Sequence, residues 1–204
     1  MTDFLFNGPD AADKTVVLAH GAGAHMDSEF MEAFALGLAD SGIRVARFEF
    51  PYMVKRRDDG KRRPPDRAPV LVDTWLRVAA ELGPDNLVIG GKSMGGRIAS
   101  MVADEAGVAG LVCLGYPFHP PAKKDKLRIE HLPNIKVPTM ILQGERDTFG
   151  TRTEVRSYRL PRKIKMRWLT DGDHSFKPRK RSGVTQTENW DTAIESIIGF
   201  LGGL

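Results

Sequence analysis

The 204-residue sequence has a single cysteine, Cys113, so no disulfide can form within the chain. Cys113 lies in Leu111-Val-Cys-Leu114, where a small buried hydrophobe is the simplest role. No apolar run approaches the roughly 18 residues that a membrane span needs. The N-terminus, Met1-Thr-Asp-Phe-Leu-Phe, carries an acid early and lacks the basic-then-apolar pattern of a secretory signal. These absences predict a cytoplasmic chain with no membrane attachment. Internal repeats, low-complexity linkers and composition breaks are also missing, so one domain over 1–204 is expected. What is present is ordinary for a globular protein: 41% hydrophobic and 27% charged residues, with a net charge of +4.

Short apolar runs alternate with amphipathic stretches. Val16-Val-Leu-Ala19 reads as a strand ending in His20-Gly-Ala-Gly23. Asp27 or Ser28 can cap the helix that follows, whose apolar side is Phe30, Met31, Phe34 and Leu38. Ile43 to Phe50 reads as a strand stopped by Pro51, followed by a long basic, proline-containing loop to about Pro65. A helix through Val72, Trp75, Leu76 and Ala79 ends at Gly83-Pro84. Further strands are expected at Leu87–Ile89, Ala109–Leu114, Thr139–Leu142 and, less cleanly, Ile164–Leu169. Ile98, Met101 and Val102 have helical spacing, and a last helix spans about Thr187 to Leu201. Such alternation predicts a parallel sheet covered on both faces, with chemistry at the carboxyl ends of its strands.

One strand end carries Gly91-Lys-Ser-Met-Gly95, a match to G-x-S-x-G. The pattern is weak alone, arising by chance in about one chain in ten of this length. Here it follows an apolar strand and opens a helix, the context in which a serine can be a nucleophile. A serine at so sharp a turn is forced towards positive φ, and the flanking glycines supply the space it needs. Two decoys overlap such glycine runs. A P-loop would need glycine at position 86, which is Asn86, and the dinucleotide pattern begun by Gly21-Ala-Gly23 fails at Met26. The plain alternative for Ser93 is a capping residue at a helix N-terminus.

A serine nucleophile needs a base and an acid to orient that base. Of the five histidines, His174 has the best setting, in the turn-rich Thr170-Asp-Gly-Asp-His-Ser-Phe176 after the last strand. His20 ends the first strand, His25 lies just beyond the glycine loop and could line the site, and His119 and His131 occupy a proline-rich stretch. Glu145 and Asp147 follow the strand at 139–142; Asp147 is favoured because it lies deeper in its loop. The order Ser93, Asp147, His174 is the one that α/β hydrolases use. An oxyanion needs two backbone donors: the N–H of Met94 is one, and Ala22, with Gly23 second, is the candidate for the other.

These motifs resemble those of compact α/β hydrolases related to dienelactone hydrolase. They are more closely similar to a hydrolase-like family that includes testis-expressed eukaryotic proteins and a chromatin-complex subunit. The shared stretches are His20-Gly-Ala-Gly-Ala24, Gly90-Gly-Lys-Ser-Met-Gly-Gly-Arg97, Leu114-Gly-Tyr-Pro-Phe-His-Pro-Pro121, Gln143-Gly-Glu-Arg-Asp147 and Asp173-His-Ser-Phe176. The resemblance implies an α/β-hydrolase fold with a minimal central parallel sheet of about six strands and little N-terminal antiparallel part. It implies the triad Ser93, Asp147 and His174. Dienelactone hydrolases have cysteine where this chain has Ser93, so their substrate is not carried over.

Three segments, 50–66, 116–134 and 174–187, together carry a net +9 against +4 for the whole chain. Expected at the active-site edge, they predict a positive field favouring anionic substrates, or else simply solvated loops. Nucleic-acid binding is not favoured, since no recognition module or aromatic stacking platform is present. The segment 115–138 is short and proline-containing, so no large lid is expected and small or protruding esters suit the site. The reading is therefore a serine esterase-like acyl hydrolase needing neither cofactor nor metal; thioester cleavage or perhydrolysis could use the same triad. The competing reading is a non-catalytic hydrolase-fold protein that engages an acidic partner through its basic rim. Oligomeric state is not legible, because the core accounts for the apolar helix faces.

Overall fold

The computed structural model describes residues 2–204. Seven strands, β1 (Phe4–Asn7), β2 (Thr15–Ala19), β3 (Arg44–Phe48), β4 (Leu87–Lys92), β5 (Gly110–Leu114), β6 (Thr139–Gly144) and β7 (Ile164–Leu169), form one sheet. Their order is β1-β3-β2-β4-β5-β6-β7. Six strands run parallel, as the alternation predicts, and β1 adds a short antiparallel edge against β3. The central strands are near-continuous apolar runs because helices cover both faces. One face packs against α3 (Ala68–Leu82) and α4 (Met94–Ala106), around Trp75, Ile89 and Ile98. The other packs against α1 (Glu29–Ala39) and α6 (Gln186–Leu201), around Phe34, Val88 and Ile197. Among the described residues, no helix is long and apolar enough to cross a membrane.

One expected loop is a helix. Residues Pro51–Asp59 form α2, with Pro51 in its first turn and Gly60 in the left-handed conformation at its end. Proline lacks only an N–H that a first turn leaves unpaired anyway, so the residue that stops β3 also starts α2. A further short helix, α5 (Arg152–Ser157), begins with a capping box in which Thr151 and Glu154 satisfy each other's backbone N–H. Residues 115–138 contain only a 3-10 turn at Leu132–Asn134, so there is no large lid.

The sheet order fixes where a cleft opens. From β2 the chain adds β3 to one side, then returns to place β4 on the other. The loops after β2 and β4 therefore diverge at a topological switch point, the natural crevice of an open α/β sheet. His20 to Gly23 form one lip, and Ser93 stands on the other.

Candidate active site

Ser93 sits between β4 and α4 with φ 51° and ψ −113°, a conformation costly for a residue with a Cβ. Its N–H donates to Leu114 O at 2.9 Å, and its carbonyl accepts from Arg97 N–H at 3.0 Å, so both flanks are anchored. The flanking glycines are dictated by β2. A Cβ on Gly91 would lie 2.1 Å from Ala19 O, and one on Gly95 would lie 2.5 Å from the same atom. Both spacings are far inside van der Waals contact, so only glycine lets the turn approach the neighbouring strand.

The structure brings Ser93, His174 and Asp147 into one hydrogen-bonded chain. His174 Nε2 lies 2.8 Å from Ser93 Oγ, and His174 Nδ1 lies 2.7 Å from Asp147 Oδ2. Asp147 is fully buried; its Oδ2 also accepts from Gln143 Nε2 at 2.9 Å, and its Oδ1 accepts from Phe149 N–H at 2.9 Å. A carboxylate so surrounded by donors cannot rotate away from the imidazole. His174 is held by the Asp173 turn, where Asp173 Oδ1 accepts the N–H groups of Ser175 and Lys177 at 2.8 and 3.0 Å. The ring of Phe149 covers the imidazole, centroid to centroid 4.4 Å.

Glu145, the other candidate acid, has different partners. It pairs with Arg152 and accepts Asp171 N–H at 3.0 Å, tying the β6 and β7 loops together. The remaining histidines are engaged elsewhere. His131 Nε2 meets Ser100 Oγ at 2.8 Å, and buried His119 has Nδ1 3.1 Å from Pro120 O. His25 does not line the cavity at Ser93; it lies 3.4 Å from Glu49, in a cluster with Arg57 and Asp27.

His20 has a role that its position alone did not reveal. It is fully buried, with Nδ1 2.7 Å from Gly21 O and Nε2 accepting Phe50 N–H at 3.1 Å. That pattern requires a neutral ring with the proton on Nδ1. Burial agrees, holding its pKa below the ordinary value of 6.5. Tyr52 Oη adds contacts to Ala22 O at 3.1 Å and Gly21 O at 3.4 Å. Since the trans peptide is planar, fixing the Gly21 carbonyl towards His20 turns the Ala22 N–H to the opposite side. Ala22, Ser93 and Met94 line one cavity of about 390 Å³. Gly23 lies outside that lining.

Lys92, met in the sequence only as a variable position of the G-x-S-x-G match, is a second unanticipated neighbour. Its ammonium donates to the His174 carbonyl and lies over the Phe30 and Phe176 rings at 4.8 and 5.5 Å. Burial pushes its pKa down to about 8, against the opposing pull of Asp147 and Asp173. No spacing rule ties residue 92 to residue 174; only the fold makes them neighbours.

The basic segments are more neutralised than their sequence implies. Arg57 pairs with Asp27 and Glu49, Lys124 with Glu154, and Arg179 with Asp171, all acids outside the three segments.

Solved structures share this architecture. An alpha-beta serine hydrolase homologue from Coxiella burnetii superposes with TM-score 0.70 at 19% identity, covering 98% of this chain and 90% of that one. Dienelactone hydrolase from Anabaena variabilis gives TM-score 0.69 at 20% identity, with 96% and 90% covered. The monoacylglycerol lipase of Paleococcus ferrophilus gives 0.68 at 14% identity, with 98% and 99% covered. At such identities the likeness is one of fold. The family model described as an alpha/beta hydrolase domain matches residues 12–202, and the chain thus belongs to the α/β-hydrolase family.

Proposed function

We propose that this protein is a serine hydrolase that cleaves ester or related acyl bonds through an acyl-enzyme on Ser93. The observation that carries the reading is the unbroken hydrogen-bonded chain from Ser93 Oγ through His174 to buried Asp147. His174 Nε2 takes the Ser93 proton as Oγ attacks the acyl carbon, while Nδ1–H donates to Asp147. The negative charge developing on the acyl oxygen faces the N–H groups of Ala22 and Met94, each such donor contributing on the order of 3 kcal/mol. His174 then returns the proton to the leaving group. Water, deprotonated by the same nitrogen, releases the acid and restores Ser93. No cofactor or metal takes part in these steps.

Small or protruding esters suit the short 115–138 segment and the cavity of about 390 Å³. An esterase domain from Rhodothermus marinus and the Paleococcus ferrophilus lipase, both of this fold, agree with acyl chemistry. A reducing, cytoplasmic setting belongs to the proposal and is compatible with the free, buried Cys113. The test is turnover of short p-nitrophenyl esters by wild type, Ser93→Ala and His174→Ala. Wild-type turnover lost in both variants is expected. Absence of turnover in wild type, or its survival in Ser93→Ala, contradicts the reading and leaves a binding protein built on the same fold.

A further inference from the structure

Two arginines that form no ion pair line the cavity beside Ser93. Arg97 and Arg128 both line it, together with Ser93 and Met94. None of the ion pairs among the described residues includes either arginine. The Nε of Arg97 is buried without a hydrogen-bond partner. Arg44, Arg47 and Arg152 also have an orphaned Nε, but each engages a partner through its terminal nitrogens. Arg97 has no such side-chain bond among the described residues. The two cations also repel each other: after burial, the Arg97 charge is the next cause holding Arg128 below the ordinary arginine pKa. Asp66 lines the same cavity and keeps its negative charge while its Oδ2 accepts Tyr52 N–H at 2.9 Å, but it forms no ion pair with either arginine, so the lining remains net positive. Gathering like charges at a cavity wall with no carboxylate paired to them costs free energy, and an anionic ligand offsets it.

We infer that this cavity selects acyl groups bearing a second carboxylate, so that the substrates are monoesters of short dicarboxylic acids. The inference rests on the reading of Ser93 as the acyl-accepting nucleophile. Arg97 lies in the first turn of α4, four residues after Ser93 at its N-cap, hence about 6 Å along the helix axis, and both residues line the cavity. A guanidinium there meets a carboxylate separated from the scissile carbonyl by a few methylenes, which fits a cavity of about 390 Å³. Arg97 and Arg128 are the specificity residues, offering a planar fork that matches a carboxylate. Hydrolysis adds water across the ester bond, giving the dicarboxylate and the alcohol.

The test compares monoethyl glutarate with ethyl pentanoate, which has the same chain length without the charge. Wild type is expected to favour the monoester by at least about tenfold in kcat/KM, mainly through KM. Arg97→Gln and Arg128→Gln are each expected to erase most of that ratio, Arg97→Lys less, and Lys126→Gln, an exposed charge outside the cavity, to leave it within about twofold. Melting temperatures establish that the variants fold. In parallel, Ser93→Ala binds the intact monoester at least about tenfold more tightly than the neutral ester, and the same arginine substitutions in that background remove the difference. Turnover of both esters without preference, or a preference that survives both Gln variants, overturns the inference and leaves the hydrolase reading standing. No turnover of either ester and no labelling by a fluorophosphonate overturns the hydrolase reading, and the substrate assignment falls with it.

Discussion

The loops after β2 and β7 each hold a histidine whose two ring nitrogens are both engaged. His20 spans two backbone groups, Gly21 O and Phe50 N–H, and has no exposed surface. His174 spans two side chains, the Asp147 carboxylate and the Ser93 hydroxyl, and remains partly exposed. The first ring is fixed in one neutral tautomer because protonation would set a second N–H against that of Phe50. The second has a carboxylate on one side to stabilise a positive charge and an O–H proton on the other. A histidine's capacity for chemistry is thus set by what its nitrogens face. His20 shapes the site; in the proposed reading, His174 moves the proton.

Substitutions at the two histidines and their partners separate these roles. Ser93→Ala or His174→Ala should lower kcat for short esters by about 10⁶-fold, and Asp147→Asn by about 10⁴-fold, with little change in melting temperature. His20→Ala should lower kcat by only about 10- to 100-fold, through the displaced Ala22 donor. It should also destabilise by about 1–3 kcal/mol, because the buried Phe50 N–H loses its acceptor. Opposite results, a silent His174 or an indispensable His20, would reverse the assignment.

Acidity separates the two rings more finely. His20 has its pKa lowered by burial, so the unfolded chain binds the proton more readily than the native one. Stability is therefore full above the ordinary value of 6.5 and falls as pH drops below it, at up to about 1.4 kcal/mol per pH unit. His131, lowered by burial and by Arg97, adds a loss of the same sign. Urea midpoints between about pH 7.5 and about pH 5.5 should fall in wild type and fall less in His20→Asn. The smallest expected effect concerns acyl length. Without a lid, acetate and butyrate p-nitrophenyl esters should be hydrolysed better than palmitate, and a clear long-chain preference would oppose an open site.

Much of this was legible before the fold. The elbow glycines, the strand alternation and the order of Ser93, Asp147 and His174 follow from local sterics and connectivity, which a sequence records directly. Helix α2 was hidden because five of its nine residues, Lys55 to Asp59, are charged, so it has little apolar periodicity to read. Strand β1 is four residues long and lies at the sheet edge, too short for alternation to register. The roles of His20, Lys92, Arg97 and Arg128 depend on partners 30 or 82 residues away or on a shared cavity wall, relations that no spacing encodes. The basic rim taught the converse: counting charges overstated the free field, because acids outside the counted segments pair with several of them.

The most direct test is to react the protein with a fluorophosphonate and locate the adduct by peptide mass mapping. A single phosphonyl group on Ser93, absent from Ser93→Ala and strongly slowed in His174→Ala, is the predicted result. A protein that stays unmodified, or one modified at a residue other than Ser93, would contradict the account.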